Sequence, residues 1–82
     1  MTLQEVAAEL ATRMNCEVQP DENPYEVILQ GKGYTVAVAP FFGGWQATLK
    51  IPDQKPQTWY GEALEVLELR LKARLSGRES NF

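Results

Sequence analysis

The start of the chain repeats apolar residues at the spacing of an amphipathic helix. The repeat forms one apolar face, made of Leu3, Val6, Ala7, Leu10, Ala11 and Met14. Thr2 and Glu5 have the separation of a capping box, in which each side chain bonds the other residue's backbone N–H. Asn15 suits the end of such a helix. We therefore predict a helix over residues 3–14.

Alternation of apolar and polar residues predicts strands in the middle of the chain. Three runs each present one apolar face, formed by Tyr25, Val27 and Leu29, by Tyr34, Val36 and Val38, and by Trp45, Ala47, Leu49 and Ile51. Residues 16–19 alternate over a shorter length and are a candidate edge strand. The first hairpin should turn at Gly31-Lys32 or Lys32-Gly33, because only a loop of even length keeps both apolar faces on one side.

The second hairpin allows two registers of the same parity. A two-residue turn at Gly43-Gly44 pairs Phe42 with Trp45, points both inward and leaves Phe41 outward. It also leaves Pro40 inside the ladder, where it has no N–H to donate. A four-residue loop that begins at Phe41 moves Pro40 to the end of its strand. The sequence does not decide between these two registers.

A second helix is predicted after a linker over Pro52–Gln57. Thr58 is a reasonable N-cap, and the helix should run to about Ser76, with Gly77 just past its end. Acidic residues come early and basic ones late, which suits the helix dipole, and Glu68–Lys72 has the favourable i,i+4 spacing.

The predicted fold class is therefore α+β. The expected order is α-β-β-β-(β)-α, an antiparallel meander of three to four strands with both helices packed on one face. Residues 1–77 should form a single domain, and residues 78–82 a flexible C-terminal tail.

The predicted second helix has more apolar surface than a core stripe needs. The stripe consists of Tyr60, Leu64, Leu67, Leu71 and Leu75. A second group lies more than a quarter-turn away and consists of Trp59, Val66, Leu69 and Ala73. Either the sheet and the first helix wrap far enough to cover this group, or it is a homodimer or partner interface.

Phe41 completes the candidate partner interface, which comprises Trp59, Val66, Leu69, Ala73 and Phe41. The hairpin over residues 41–45 has two interpretations. The favoured one is that its aromatic residues close one end of a small core. The other is that an aromatic residue projects and anchors in a partner's pocket.

Composition excludes most catalytic chemistry. Histidine is absent and Cys16 is the only cysteine, so Ser/His pairs, Cys/His pairs and Cys₄ or Cys₂His₂ zinc sites cannot form. Asp21, Glu22 and Glu26 are the best carboxylate cluster, but an exposed loop favours ordinary solvated acids. Cys16 is best interpreted as a small buried hydrophobe. We therefore expect no enzyme activity, no catalytic residue, no metal site and no cofactor.

Charge and cysteine content limit the partners. The net charge is −3 and the pI is about 4.8, which disfavours nucleic acid and anionic membranes as partners. No apolar run is long enough to span a bilayer, and the start lacks the pattern of a signal peptide. A single cysteine suits a reducing cytoplasm.

The leading hypothesis is a small non-enzymatic protein–protein interaction module, such as an accessory subunit, an adaptor or an inhibitor. A nucleic-acid-binding domain is an alternative, because the α-β-β-β-α order resembles the topology of the double-stranded RNA-binding domain. That resemblance implies RNA contacts from a lysine-rich start of the last helix, whereas residues 53–58 contain one lysine. A small-ligand-binding domain is the third alternative, although so short a chain should fill its own interior.

Overall fold

The computed structural model describes residues 2–19 and 23–76, which form two helices on one face of an antiparallel sheet. The elements are α1 (Leu3–Met14), β1 (Glu17–Gln19), β2 (Val27–Gly31), β3 (Tyr34–Phe41), β4 (Gly44–Lys50), β5 (Gln57–Gly61) and α2 (Leu64–Leu75). Neighbouring strands in the sheet follow chain order, so the α+β meander is confirmed. Gly77 and the predicted tail at 78–82 lie outside the described residues.

The first helix forms as its sequence predicts. The Thr2 hydroxyl accepts the Glu5 N–H at 3.2 Å, and a Glu5 carboxylate oxygen accepts the Thr2 N–H at 2.9 Å. This reciprocal pair satisfies two N–H groups that a helix start otherwise leaves unbonded. Asn15 ends the helix in the left-handed conformation with φ 58°. The short strand β1 follows and pairs with β2, which confirms the candidate edge strand.

The strand count is higher than predicted, because the chain enters the sheet once more before the second helix. Gln57–Gly61 pairs antiparallel with β4, so the sheet has five strands and α2 begins only at Leu64, with Ala63 as N-cap. The predicted N-cap at Thr58 is wrong. Thr58, Trp59 and Tyr60 are all good strand formers, and pairing with β4 satisfies their backbone more fully than an extra helical turn at a sheet edge.

The two hairpins resolve the registers that the sequence left open. Gly31 pairs with Tyr34, so the first turn is Lys32-Gly33. In the second hairpin Pro40 lies opposite Trp45, which is the register of the four-residue-loop alternative. The ladder then continues by one more pair, Phe41 with Gly44, and the turn itself is Phe42-Gly43. The two-residue turn at Gly43-Gly44 is therefore wrong.

Pro40 explains why this register is preferred. The pair that closes a two-residue hairpin is hydrogen-bonded on both sides, so Phe41 directs its backbone groups toward β4 and Pro40 directs its own toward β2. The β2–β3 ladder ends at the pair Val27–Val38. Pro40 therefore lies beyond the end of that ladder, where no strand partner requires its missing N–H.

The core lies between the helices and one face of the sheet. α1 contacts β1, β2 and β3, while α2 contacts β4 and β5. The largest fully buried side chains are Leu10, Leu29, Leu67, Leu71, Val6, Val36 and Val38. Across the top, Arg13 on α1 bonds Glu65 at 3.1 Å and Glu68 at 3.0 Å on α2. Neither helix covers the opposite face of the sheet.

Candidate interaction surface

Three aromatic side chains form a cluster at the β3–β4 hairpin, on the open face of the sheet. The Phe41 ring packs on Tyr60 of β5 with centroids 4.3 Å apart, and it contacts Phe42 edge-to-face at 4.7 Å. The exposed fractions are 38% for Phe41, 95% for Phe42 and 54% for Tyr60. We call these three residues the aromatic tip. Phe41 contacts both other rings, while Phe42 and Tyr60 present most of their area to solvent.

Phe42 occupies a position that favours other residue types. It is the first residue of the two-residue turn, with φ 38°, and Gly43 follows with φ 81°. Positive φ at both central positions is the pattern of a hairpin turn in which Asn, Asp or Gly usually stands first. A phenylalanine there is strained by its β-carbon and buries almost nothing in return. The prediction that Phe42 points into the core is wrong.

Gly44 allows β5 to approach closely beneath the tip. A β-carbon built on Gly44 would lie 2.6 Å from the carbonyl oxygen of Gly61, which is too close for any side chain. Gly44 also lies directly opposite Phe41, so the Phe41 ring meets no side chain there and reaches Tyr60 across β4. The sequence therefore holds Phe41 and Tyr60 together although they belong to strands that are not neighbours.

Most of the surroundings of the tip are uncharged, and the charged neighbour is Glu62, whose α-carbon would lie 3.2 Å from a β-carbon on Gly44. No lysine, arginine, aspartate or glutamate occurs in residues 33–49, nor within β5. Below the tip the open face continues with small or neutral side chains, including Ala39, Gln46, Thr48 and Thr58. Residues 33–49 and β5 therefore contain none of the basic residues through which phosphates and anionic lipids are recognised.

No family model, curated protein or solved structure matches this chain. The topological resemblance to the double-stranded RNA-binding domain also weakens with the structure. Five strands rather than three separate the helices, and residues 53–58 form the β4–β5 connection and the start of β5 instead of a helix start. Function must therefore be argued from the described surface.

The apolar group predicted on the second helix is divided by the structure. Trp59 belongs to β5, where it is half-buried against the core. Val66 and Leu69 remain on α2 with 43% and 70% of their surface exposed, and Ala73 is partly buried beside them. These three residues are the helix patch. Phe41, the fifth candidate, lies in the aromatic tip on the opposite side of the sheet.

A shallow cleft at the other end of the sheet has a volume of about 450 Å³. Gln30, Tyr34, Lys50 and Ile51 are among its lining residues. The Gln30 amide already donates to the carbonyls of Gly31 and Tyr34, at 2.8 and 3.0 Å. Among the polar side chains that line this cleft, Thr35 and Lys50 remain without a hydrogen bond or ion pair within the described residues, and the rest of its lining is largely apolar.

Cys16 and Tyr34 close the same end of the core. The thiol lies 3.2 Å from the Tyr34 hydroxyl, and both side chains are partly buried. Burial, and secondarily the bond to Cys16, raises the pKa of Tyr34 to about 12. The Tyr34 ring lies over Gly31, where a β-carbon would come within 2.1 Å of it. This pair packs against the core, although Cys16 is only partly buried and not the fully buried hydrophobe that was expected.

Candidate metal ligands and membrane-spanning helices were searched for in residues 2–19 and 23–76. This part of the chain contains no group of three or more Cys, Asp or Glu side chains placed to hold a metal ion. Within it, neither helix has the length and hydropathy needed to cross a bilayer. Of the carboxylate cluster considered from the sequence, Glu26 is described, whereas Asp21 and Glu22 lie outside the described residues.

Sequence analysis missed Tyr60 and Phe42 as members of one surface. Tyr60 was assigned to a helical core stripe, and Phe42 to the inner face of a hairpin. Two signals in the sequence point to the correct arrangement. Pro40 disfavours the Gly43-Gly44 turn, and the run Thr58-Trp59-Tyr60 has the composition of a strand.

Proposed function

We propose that this chain is a small non-enzymatic protein–protein interaction module that engages its partner through the aromatic tip. The observation that carries the proposal is Phe42, which is almost fully exposed and has positive φ. A residue lowers stability when its backbone conformation is strained and its apolar side chain is exposed to water. Such residues are retained where binding benefits from them.

The geometry of the tip suits an anchor in an apolar pocket. Phe42 projects, and beside it the Phe41 and Tyr60 rings pack on each other with their planes tilted by 37°. Aromatic residues dominate binding energy because they bury a large area and lose little conformational entropy. The single cysteine, Cys16, is compatible with a reducing compartment, and we place the module in the cytoplasm on that ground.

The proposal is tested by comparing the wild type with Phe42→Asn as affinity baits in extracts of the source organism. Asn suits the turn, so the variant should keep the fold while the anchor is lost. Leu69→Ser is the matched control, because it removes an exposed apolar side chain from the helix patch on the other side of the sheet.

We expect a specific protein that binds the wild type and Leu69→Ser but not Phe42→Asn. Titration of the purified pair should then show at least about 30-fold weaker binding for Phe42→Asn, the usual size of an aromatic hot spot. Equal capture by wild type and Phe42→Asn would refute a role for the tip. Binding to lipid vesicles that depends on Phe42 would replace the protein partner with a membrane.

A further inference from the structure

The two edges of the sheet differ in how well they are protected. β1 has three residues, carries Glu17 and is followed directly by Pro20 in the sequence. Short length, charge and proline are the features that keep an edge strand from pairing with another chain. β5 has five residues, Gln57–Gly61, with neither charge nor proline inside it. The sheet is therefore open to further pairing at β5.

The register identifies the backbone groups that β5 leaves unpaired. Because Phe41–Gly44 is a hydrogen-bonded pair, alternation directs Trp45 and Ala47 of β4 toward their β5 partners, Gly61 and Trp59. Thr58 and Tyr60 alternate with these β5 residues, so they direct their N–H and C=O groups to the free edge. Among the described residues, neither has a further backbone hydrogen bond on that side.

We propose that β5 pairs antiparallel with β5 of a second copy of this chain, which joins two sheets into one. The register of greatest overlap is centred on Trp59. In it Thr58 of each copy forms a hydrogen-bonded pair with Tyr60 of the other, and the free groups of both strands are satisfied. The inference does not depend on the aromatic tip.

The charges that flank β5 favour this antiparallel arrangement of two identical strands. Lys55 comes shortly before the strand and Glu62 directly after it, and both are exposed. Antiparallel pairing brings Glu62 of each copy toward Lys55 of the other, whereas parallel pairing would place like charges together. Arg74, which bonds the Gln57 side chain at 2.9 Å, adds a second positive charge at the start of the strand.

The position of α2 is also compatible with a continuous sheet. α2 packs over β4 and β5, so the α2 axes of the two copies would lie two strand spacings apart, or about 10 Å. Packed helices have axes 8–10 Å apart as a rule. A β-carbon on Gly61 would lie 3.0 Å from that of Val66, so Val66 lies over the end of β5. Pairing would bring this half-exposed side chain close to the second copy, together with Arg70 and Arg74, which follow it at i+4 and i+8 along the same side of α2.

The decisive variant is Thr58→Pro, because it removes an N–H that has no partner within one copy. Its control is Thr58→Val, which keeps that N–H but loses the same side-chain bond, the 2.9 Å contact between the Thr58 and Thr48 hydroxyls. Sedimentation equilibrium of the full chain from micromolar to millimolar concentration measures the dissociation constant of a dimer of the 9.2 kDa chain.

We expect wild type and Thr58→Val to dimerise alike and Thr58→Pro to raise the dissociation constant at least about 30-fold, since two backbone hydrogen bonds are lost per dimer. A wild type that stays monomeric at millimolar concentration would overturn the proposal. So would a folded Thr58→Pro that dimerises like the wild type. Phe42→Asn should dimerise normally, which separates failure at this edge from failure at the tip.

Charge exchange gives an independent readout in case Thr58→Pro does not fold. Lys55→Glu and Glu62→Lys should each weaken the dimer by up to about 5-fold, the range of exposed ion pairs, and the double exchange should restore it. Both residues are exposed, so neither change should disturb the fold. No weakening by either single exchange, or no recovery in the double variant, would exclude this antiparallel arrangement.

Discussion

Phe42→Asn should make the protein more stable while it removes the proposed binding anchor. Phe42 has φ 38° and is 95% exposed, so the substitution relieves backbone strain at almost no cost in buried area. A non-glycine residue in the left-handed region costs about 1–2 kcal/mol, and Asn is the residue that tolerates it best. The edge contact with Phe41 is lost, which at a solvent-exposed site is worth about 0.5 kcal/mol.

The net expectation is a rise in the free energy of unfolding of about 0.5–1 kcal/mol. For a domain of this size that corresponds to a rise in Tm of about 4 °C. Urea unfolding followed by tryptophan fluorescence measures it, because Trp45 and Trp59 both pack against the core. All proteins are compared at one concentration, since self-association adds to apparent stability.

Phe42→Leu is the matched control, because it removes the ring but keeps a β-carbon at positive φ. It should leave the strain in place and lower the free energy of unfolding by about 0.5 kcal/mol. A fall of more than about 0.5 kcal/mol in Phe42→Asn would mean that the ring stabilises the hairpin. Phe42 would then have a structural reason to be aromatic, and the argument for a binding anchor would fail.

Three further predictions concern the core and the titrating groups. Leu67→Ala, at a fully buried position, should lower the free energy of unfolding by about 2–5 kcal/mol, whereas Leu69→Ala should change it by less than about 0.5 kcal/mol in urea unfolding. Bonds from Lys72 and then Arg13 lower the pKa of Glu68 from its ordinary 4.5, so the stability it contributes is present above that value and is lost as the pH falls through the lowered pKa. Glu68→Gln should therefore flatten the loss of stability between pH 5 and 3 in a series of urea titrations, about where carboxylates titrate. Burial raises the pKa of Tyr34 to about 12. The stability that this hydroxyl contributes is therefore complete below about pH 10 and is lost as the pH rises through the folded-state pKa. Tyr34→Phe should remove the last phenolate that appears when the protein is titrated with base and followed by ultraviolet absorption.

Local chemistry accounts for the parts of the fold that were predicted correctly. The α1 boundaries follow from a capping pair at one end and a left-handed asparagine at the other, each of which acts within a few residues of the boundary it sets. The Glu68–Lys72 pair forms at 2.8 Å, because i,i+4 neighbours meet on any helix. The Lys32-Gly33 turn is one of the two that parity allowed, and alternation accounts for the inward faces of β3 and β4 and for Val27 and Leu29 of β2. Tyr25, which was expected on the same face, lies outside β2 and is 74% exposed.

The errors share one cause, which is competition between a local pattern and a distant partner. By helical spacing, Tyr60 fits the core stripe and Trp59 fits the second apolar group. Pairing with Gln46 and Ala47 of β4 makes both of them part of a strand instead. Phe42 fits an inward position only if Gly43-Gly44 forms the turn. The shift of the turn by one residue moved Phe42 from the paired strand into the turn itself and exposed it.

The aromatic tip could not be derived from the chain alone. Phe41 and Tyr60 lie on strands separated by β4, and their contact depends on the absence of a side chain at Gly44. Nothing in the neighbourhood of either residue in the sequence indicates the other. Helical spacing places Leu69 away from the core positions, but it left open whether neighbouring elements cover it, and the structure leaves it 70% exposed.

The sequence by itself determined the α+β class, both amphipathic helices and the absence of histidine chemistry, because composition and short-range periodicity act within a few residues. The tertiary structure alone decided that residues 57–61 close the sheet as a fifth strand. It also decided which aromatic residues face solvent together. Pairing between strands is a long-range interaction, and a one-residue change in a turn alters which side chains the fold can bury.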